Sequence, residues 1–407
     1  MLCCRPAPRE RAGVASGAPV TASDAAPPGL RRVRVLLGSD VESLRVRAAR
    51  PMVWKPDSDE PPSTWPPDES LQIEPVPPSG MRVGGDVHRA HGATIQAEGS
   101  DAITLALQNA AGSSPELRYP GSIRMVMDDD GLFRVINHVD VEQYVAGVVA
   151  AEAWPTFEEE VFRVQAIVAR TFVLYQMQQA AARPFDVTAT QGAQVYRGLR
   201  DDVTGRRATE AAQYTRGIAC TFEAGGRSQL FCTYYSAACG GASQAALLFS
   251  PEGDIEPLAG SVACDYCKIA PKDTYRWGPV RVSKHELQTR LLARYPELQS
   301  VGELTGITPI EKTADGRLLS LRLIGSGGQF HDMLAERFRL AVGGMVMRST
   351  ACDIRLTDQE VILENGRGFG HGLGLCQWGA QGQALAGKRA AEILRYYYPT
   401  STLTRAY

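Results

Sequence analysis

The chain has 407 residues, which is enough for one large domain or for two domains of ordinary size. Apolar residues make up 44% of it and charged residues 22%, proportions that exclude a disordered or membrane-embedded protein and favour a packed, globular one. The formal net charge is -2 and the basic residues are scattered, so we expect no nucleic acid among its partners.

The segment 1–30 is rich in Pro, Ala, Gly and Ser and contains no apolar core of a secretory signal. We predict a flexible leader there. Further along, no apolar run approaches the length of roughly 18 residues that a membrane-spanning helix requires. The sequence therefore predicts a chain that does not span a membrane.

Short strands are predicted from residue 31 onward. The run RRVRVLL at 31–37 alternates basic and apolar residues, which is typical of a half-buried strand. A Pro-dense segment at 55–80 then predicts an extended surface insertion or linker, and the runs between 92 and 139 predict a meander. These features define one domain over 31–407 with an insertion at 55–80, and a smaller β subdomain within 31–135.

Two helices are predicted next. Asp140 can cap VEQYVAGVVAAEA, which runs until Pro155, and Thr156 with Glu159 has the spacing of a capping box for a second helix. Glu152 then lies between the two helices.

Short strands and turns return after about 185, and GRLLSLRLIGSGGQFHDM at 316–333 predicts a hairpin. A glycine-dense segment, GRGFGHGLGLCQWGAQG, precedes the helical run AAEILRYYYP. The predicted fold class is α+β, with a β-rich body of short antiparallel strands and a central helical pair that carries Glu152.

Four segments in this order resemble the stage II sporulation protein D and amidase-enhancer family. They are VEQYVAGVVAAEAWPTFEEEVFRVQAIVARTF at 141–172, FDVTATQGAQVYRG at 185–198, TYYSAACGGAS at 233–243 and GRGFGHGLGLCQWGAQGQALAGKRAAEILRYYYP at 366–399. The resemblance extends from about 31 to 402. Two departures are Ala153 with Trp154, where the family usually has a Met after the glutamate, and the Pro-rich segment at 55–80.

The resemblance implies a peptidoglycan lytic transglycosylase that uses Glu152 as its single acid and base. Such an enzyme cleaves the MurNAc-GlcNAc bond of glycan strands, expected to be denuded of peptides, and leaves a 1,6-anhydro end. Hydrolysis usually needs two carboxyl groups, whereas this reaction needs one. We expect burial against Trp154 to keep Glu152 protonated against the opposing effect of the adjacent helix N-terminus. Without the resemblance, Glu152 reads as a surface carboxylate at a helix end.

Other family members activate an amidase, so the alternative is a non-catalytic, peptidoglycan-binding enhancer of an N-acetylmuramoyl-L-alanine amidase. A more distant alternative is a β-rich structural module. The implied partners are glycan strands and a cell-wall amidase. The implied location is the cell envelope, periplasmic or extracytoplasmic, although the chain has no clear signal peptide.

Substrate contacts are predicted for five further side chains, namely Arg170, Tyr235, Ser236, His371 and Gln377. Arg170 is expected to anchor a peptide-stem carboxylate or the lactyl group, and the others to line the sugar groove. The alternatives are a solvated helix Arg, a packed Tyr, a turn Ser and a structural His.

The cysteines predict a structural zinc site, although the proposed chemistry itself needs no cofactor. Cys264 and Cys267 form a C-x-x-C pair, and Cys239 with Cys376 or His371 would complete a tetrahedral set. The alternatives are a disulfide in an exported protein and a redox pair, of which the second lacks a surrounding βαβ pattern.

Overall fold

Short strands dominate the first hundred residues that the structure describes. The computed structural model describes residues 31–190, 192–248 and 254–407, so the leader predicted over 1–30 lies outside the described residues. Contacts divide the chain into two compact units. The first unit contains the described residues of Cys4–Cys220 with Leu403–Tyr407, and the second contains those of Thr221–Thr402.

The helices and strands of the first part of the chain are these. The strands are β1 (Arg32–Val41), β2 (Ser43–Arg47), β3 (Met52–Pro56), β4 (Ser63–Trp65), β5 (Leu71–Val76), β6 (Gly80–Val83), β7 (Asp86–His88), β8 (Gly92–Ala97), β9 (Ile103–Asn109), β10 (Gly112–Ser113), β11 (Leu117–Tyr119), β12 (Ser122–Met127), β13 (Phe133–Asp140) and β14 (Val187–Thr188). The helices are α1 (Val141–Glu152), α2 (Glu159–Gln179) and α3 (Val203–Tyr214).

From residue 218 onward the helices are shorter. The strands are β15 (Ile218–Ala224), β16 (Arg227–Leu230), β17 (Tyr235–Ser236), β18 (Arg276–Trp277), β19 (Val280–Ser283), β20 (Leu304–Lys312), β21 (Leu318–Gly325), β22 (Phe330–Leu334), β23 (Asp353–Leu356), β24 (Glu360–Glu364), β25 (Gly366–Arg367), β26 (Leu375–Cys376) and β27 (Thr402–Arg405). The helices are α4 (Lys272–Tyr275), α5 (Lys284–Arg294), α6 (Ala335–Val342), α7 (Gln377–Leu385) and α8 (Ala390–Tyr397).

Two sheets build the β part of the first unit. One has the strand order β14-β1-β13-β12-β8-β3-β4, and the other β10-β9-β2-β5-β6-β7 with β11 paired to β9. In β1 the predicted alternation is confirmed, because Val33 and Val35 are fully buried while Arg32 is exposed. The α+β class is confirmed as well: short, mostly antiparallel strands are combined with helices.

The Pro-dense segment at 55–80 was wrongly predicted to be a surface insertion. It forms β4 and β5, and the side chains of Leu71 and Ile73 are buried in the sheet. The sheet tolerates Pro75, which lacks a backbone N–H. Only Leu71–Ile73 of β5 pair with β2, so Pro75 removes no hydrogen bond to β2. The proline-rich composition therefore gave no indication of β5, although its buried positions are apolar.

The helix α1 is buried on nearly every side. The side chain of Asp140 accepts a hydrogen bond from the N–H of Glu142 at 2.9 Å, which confirms the predicted cap. The capping box at Thr156 was wrong. The N–H of Phe157 bonds the carbonyl of Trp154 at 3.0 Å, so the chain first makes a turn, and α2 begins later with Glu158 as its N-cap residue.

The second unit has its own apolar core. Leu287 of α5, Phe338 of α6 and Leu321 of β21 are fully buried in it. The hairpin predicted at 316–333 is confirmed as the antiparallel pair β21 and β22, and the helix predicted before Pro399 is confirmed as α8. Among the residues that the structure describes, no helix is both long enough and apolar enough to cross a bilayer.

Candidate functional site

Glu152 is the last residue of α1. Its side chain is almost fully shielded from solvent, with 1% of the residue exposed. The backbone leaves the helix at Ala153, whose N–H still bonds the carbonyl of Val149 at 2.9 Å. The carboxyl group is therefore held on a rigid helix rather than on a loop.

A backbone N–H group contacts this carboxyl group. The N–H of Val195 donates to Oε1 of Glu152 at 3.1 Å. The bond joins two of the segments that carry the family resemblance, 141–172 and 185–198.

The loop that supplies this N–H is fixed on both sides of Val195. The hydroxyl group of Tyr144, on α1, donates to Oε1 of Gln194 at 3.2 Å. The hydroxyl group of Tyr196 donates to Oδ1 of Asn137 at 3.0 Å. All four of these side chains are buried. No sequence motif marks the Val195 N–H itself, because every residue except proline has such a donor.

Arg170 does not lie where a substrate contact would need it. Its guanidinium is fully buried and forms a two-bond ion pair with Glu142, with Nε to Oε1 at 3.0 Å and Nη2 to Oε2 at 2.5 Å. Nη1 and Nη2 also donate to the carbonyls of Ile218 and Ala212. The predicted role in anchoring a substrate carboxylate is therefore corrected: Arg170 neutralises a buried carboxylate within the first unit.

The Glu142 carboxylate makes the first unit sensitive to acid. Burial raises the pKa of Glu142, but the hydrogen bond and the charge of Arg170 outweigh burial and lower it below the ordinary 4.5. A lowered pKa contributes stability that is complete above about pH 4.5 and is lost as the pH falls through the folded-state pKa. We expect the urea midpoint of the wild type to fall between pH 5 and pH 3 by more than that of Glu142→Gln. If the urea midpoints of both proteins fall equally over this pH range, the Glu142 carboxylate is not the source of the acid sensitivity.

The second unit contains four of the predicted substrate contacts. Glu152 and Arg170 belong to the first unit. Tyr235 and Ser236 form β17, which pairs in parallel with β26 in the register Tyr235 to Leu375 and Ser236 to Cys376. Gln377 follows as the first residue of α7. Ser236 thus lies in a strand rather than in a turn, and all three predicted side chains are buried.

His371 is fixed in one tautomer by its own turn. The N–H of Leu373 donates to Nδ1 of His371 at 2.9 Å, so Nδ1 is the acceptor and the ring proton is on Nε2. The ring packs edge-on against Tyr234, with a centroid distance of 6.1 Å. In the neutral ring, the proton therefore lies on Nε2 and Nδ1 is committed to the backbone.

The four cysteines named by the zinc prediction come together. The Sγ atoms of Cys239, Cys264, Cys267 and Cys376 all lie within 4.8 Å of one another, and all four thiols are free and buried. His371 is not in this group.

The comparisons with known proteins agree on one family. The family model described as "SpoIID: Stage II sporulation protein" matches residues 129–222. An uncharacterised protein of Brachyspira hyodysenteriae is 31% identical over 283 residues, which cover 69% of this chain and 71% of that protein. The chain belongs to the stage II sporulation protein D family. Stage II sporulation protein D of Bacillus subtilis is 26% identical over 67% of this chain and 76% of its own. The amidase enhancer of the same organism is 36% identical over 69 residues, or 17% of this chain and 10% of its own.

The matched range gives the stage II sporulation protein D region clear bounds in the structure. Residues 129–222 include α1, α2 and α3, and with them both Glu152 and the Val195 N–H that bonds it. The resemblance predicted from the sequence is thus confirmed.

A glycine of the family's terminal segment is required by close packing. Gly372 has a φ of +77°, and a Cβ there would lie 2.7 Å from Nη2 of the buried Arg317. We expect Gly372→Ala to destabilise the protein by about 1–2 kcal/mol through the left-handed backbone and by a further 1–3 kcal/mol or so through crowding. Denaturant unfolding measures both. Gly260→Ala, where a Cβ meets open space, is the matched control and should cost little.

Proposed function

We propose that this protein is a lytic transglycosylase of the cell envelope that cleaves the MurNAc-GlcNAc bond of denuded peptidoglycan strands, with Glu152 as its single acid and base. One observation carries the proposal: a glutamate of the matched family region is held at the end of a buried helix with a backbone N–H on one carboxyl oxygen. Family membership supports a cell-wall role and an extracytoplasmic location.

The reaction needs two proton transfers through one carboxyl group. The carboxyl group of Glu152 gives its proton to the glycosidic oxygen as the bond from the muramic anomeric carbon breaks, and the GlcNAc end leaves as an alcohol. The resulting carboxylate then takes the proton of the muramic 6-hydroxyl group, whose oxygen bonds the anomeric carbon. The product carries a 1,6-anhydro ring, Glu152 is protonated again, and no water is consumed.

The surroundings of Glu152 suit both halves of this cycle. The Val195 N–H remains on Oε1 throughout, so it stabilises the carboxylate that forms when the proton leaves. Burial of Glu152 limits the access of bulk water to its carboxyl group, which favours attack by the sugar's own hydroxyl group over hydrolysis. Because 1% of Glu152 is exposed, glycan binding has to open a path to the carboxyl group.

Glycan contacts are proposed for the predicted residues of the second unit. Tyr235 and Ser236 on β17, His371 in its fixed tautomer and Gln377 at the start of α7 supply hydroxyl, imidazole and amide groups suited to sugar hydroxyl and acetamido groups. Arg170 is left out, because its guanidinium is committed to Glu142.

The decisive experiment is a product assay. The purified protein is incubated with glycan strands, in parallel with and without their peptide stems, and the ends are identified by mass spectrometry. We expect 1,6-anhydromuramic ends, and more of them from the denuded strands. Reducing muramic ends would indicate hydrolysis, and the absence of new ends with either substrate would overturn the catalytic proposal.

A second candidate function is supported by the amidase-enhancer relative, which is 36% identical over 69 residues. In this alternative the protein binds peptidoglycan and activates an N-acetylmuramoyl-L-alanine amidase without cleaving glycan. Adding the protein to an amidase and intact cell walls, and measuring released peptide stems, tests it. Stimulation that is equal for the wild type and Glu152→Gln, together with an absence of anhydro ends, would favour the enhancer.

A further inference from the structure

The four buried thiols of the second unit have the spacing of a metal site. Their Sγ atoms lie within 4.8 Å of one another, and the pair Cys239 and Cys267 is 3.6 Å apart. Four sulfur ligands at the zinc-sulfur distance of about 2.3 Å lie about 3.8 Å apart in a tetrahedron. We propose that Cys239, Cys264, Cys267 and Cys376 bind one structural Zn²⁺ ion.

The ligands come from three separate segments, as a cross-link requires. Cys239 follows β17, Cys264 and Cys267 flank the start of a short 3-10 helix at Tyr266–Ile269, and Cys376 ends β26. In the described residues between 237 and 270, regular structure is limited to short 3-10 helices and isolated β-bridges. A tetrathiolate ion would attach it to the strand pair β17 and β26.

Hydrogen-bonding groups lie close to two of the four sulfur atoms. The N–H groups of Cys239 and Gly379 point at Sγ of Cys376, at 3.2 Å and 3.3 Å. The hydroxyl group of Tyr397 lies 3.1 Å from Sγ of Cys264, and it donates once that sulfur is a thiolate. Such outer contacts orient metal ligands and hold them in place. A Cβ at residue 379 would lie 2.6 Å from Sγ of Cys264, so glycine is required there.

Arg317 supplies the charge that such a site needs. Zinc with four thiolates has a net charge of about -2, and a buried charge is costly unless an opposite charge is close. The Arg317 guanidinium is fully buried, and its Nη2 donates to the carbonyl oxygen of Cys239 at 2.8 Å. Among the described residues its Nε and Nη1 have no hydrogen-bond partner. A buried cation with spare donors beside a ligand residue is the expected neighbour of an anionic cluster.

The site would also fix the proposed glycan contacts. Cys376 stands opposite Ser236 in the parallel register, and Gln377 follows it directly. The metal proposal does not depend on the catalytic one, because zinc can hold this strand pair in an enzyme and in an enhancer alike.

The test measures metal on the full chain, purified without chelator. Mass spectrometry of the elements should find about one zinc per wild-type chain. We expect Cys264→Ser and Cys376→Ser to lose the metal, while Cys352→Ala, which removes a buried thiol outside the cluster, keeps it. A folded wild-type chain without stoichiometric zinc, with iron in its place, or with a disulfide between Cys264 and Cys267, would overturn the proposal.

A second measurement covers the case in which the serine variants do not fold. The wild-type chain is stripped with a chelator and reloaded with Co²⁺, and we expect the visible and near-ultraviolet bands of a tetrahedral cobalt tetrathiolate. Stripping should also lower the melting temperature, and added Zn²⁺ should restore it. A folded, stripped chain that gives octahedral cobalt bands or an unchanged melting temperature would overturn the proposal. Neither measurement uses glycan, so its failure is separate from a failure of the Glu152 assignment.

Discussion

Glu152→Gln is expected to lower the rate of 1,6-anhydro end formation by about 10²–10⁴-fold, the contribution of a positioned general acid and base. Glutamine keeps the size of the side chain, and its amide oxygen can still accept the Val195 N–H bond. What it cannot do is transfer a proton to the glycosidic oxygen and take one back. The measurement is the initial rate of anhydro ends released from denuded glycan strands, quantified by mass spectrometry.

The control for this variant is Glu159→Gln, which changes an exposed carboxylate in the first turn of α2. It should retain wild-type activity, apart from effects on helix stability of a few tenths of a kcal/mol or so. Both variants should have melting curves close to that of the wild type. If Glu152→Gln stays folded and keeps its full rate, Glu152 is not the acid, and the reaction has to be assigned to another group.

The sequence predicted the fold best where a local pattern decides the structure. The cap at Asp140, the hairpin at 316–333 and the helix before Pro399 each depend on residues close in the chain, and each is present. The segment 55–80 was misread because its prolines are concentrated between and at the ends of strands, where composition says little about pairing. The boundary between the two units, at residues 220 and 221, cannot be seen in the composition, because long-range contacts define it.

The candidate site shows the same limit. The resemblance of four segments to the family was enough to single out Glu152. The four cysteines predicted to bind zinc do lie together in the fold. The partner of Glu152 could not be predicted, because the Val195 N–H belongs to the backbone. Arg170 was misassigned because its partner Glu142 is distant in sequence, and the helix pattern alone cannot show which face of α2 meets α1.

The ion pair between Arg170 and Glu142 is the second feature with a large expected effect. Oε1 of Glu142 accepts bonds from Nε of Arg170, from the N–H of Gly217 at 3.1 Å and from the hydroxyl group of Tyr407 at 2.5 Å. The pair therefore connects α1, α2, the chain after α3 and the last residue, all within the first unit. Burial also makes it vulnerable, because a buried charge that loses its partner cannot be solvated.

Arg170→Met is expected to destabilise the protein by about 3–5 kcal/mol, since it leaves the Glu142 carboxylate buried without its cation. Arg206→Met, which removes an exposed arginine from α3, is the matched control and should change the free energy of unfolding by about 0.5 kcal/mol or less. Denaturant unfolding at pH 7 measures both.

The double variant Glu142→Leu with Arg170→Met separates the pair from its surroundings. If the cost of Arg170→Met comes from an uncompensated charge, removing that charge as well should recover part of the lost stability, although Gly217 and Tyr407 then lose an acceptor. Additive losses would mean that the guanidinium stabilises the unit through its carbonyl contacts to Ala212 and Ile218 instead. A glycan-binding role for Arg170 would give a third pattern: near-normal stability with a raised KM. The hydrogen bonds of Arg170 argue against that pattern, because its three guanidinium nitrogens already donate to Glu142, Ala212 and Ile218.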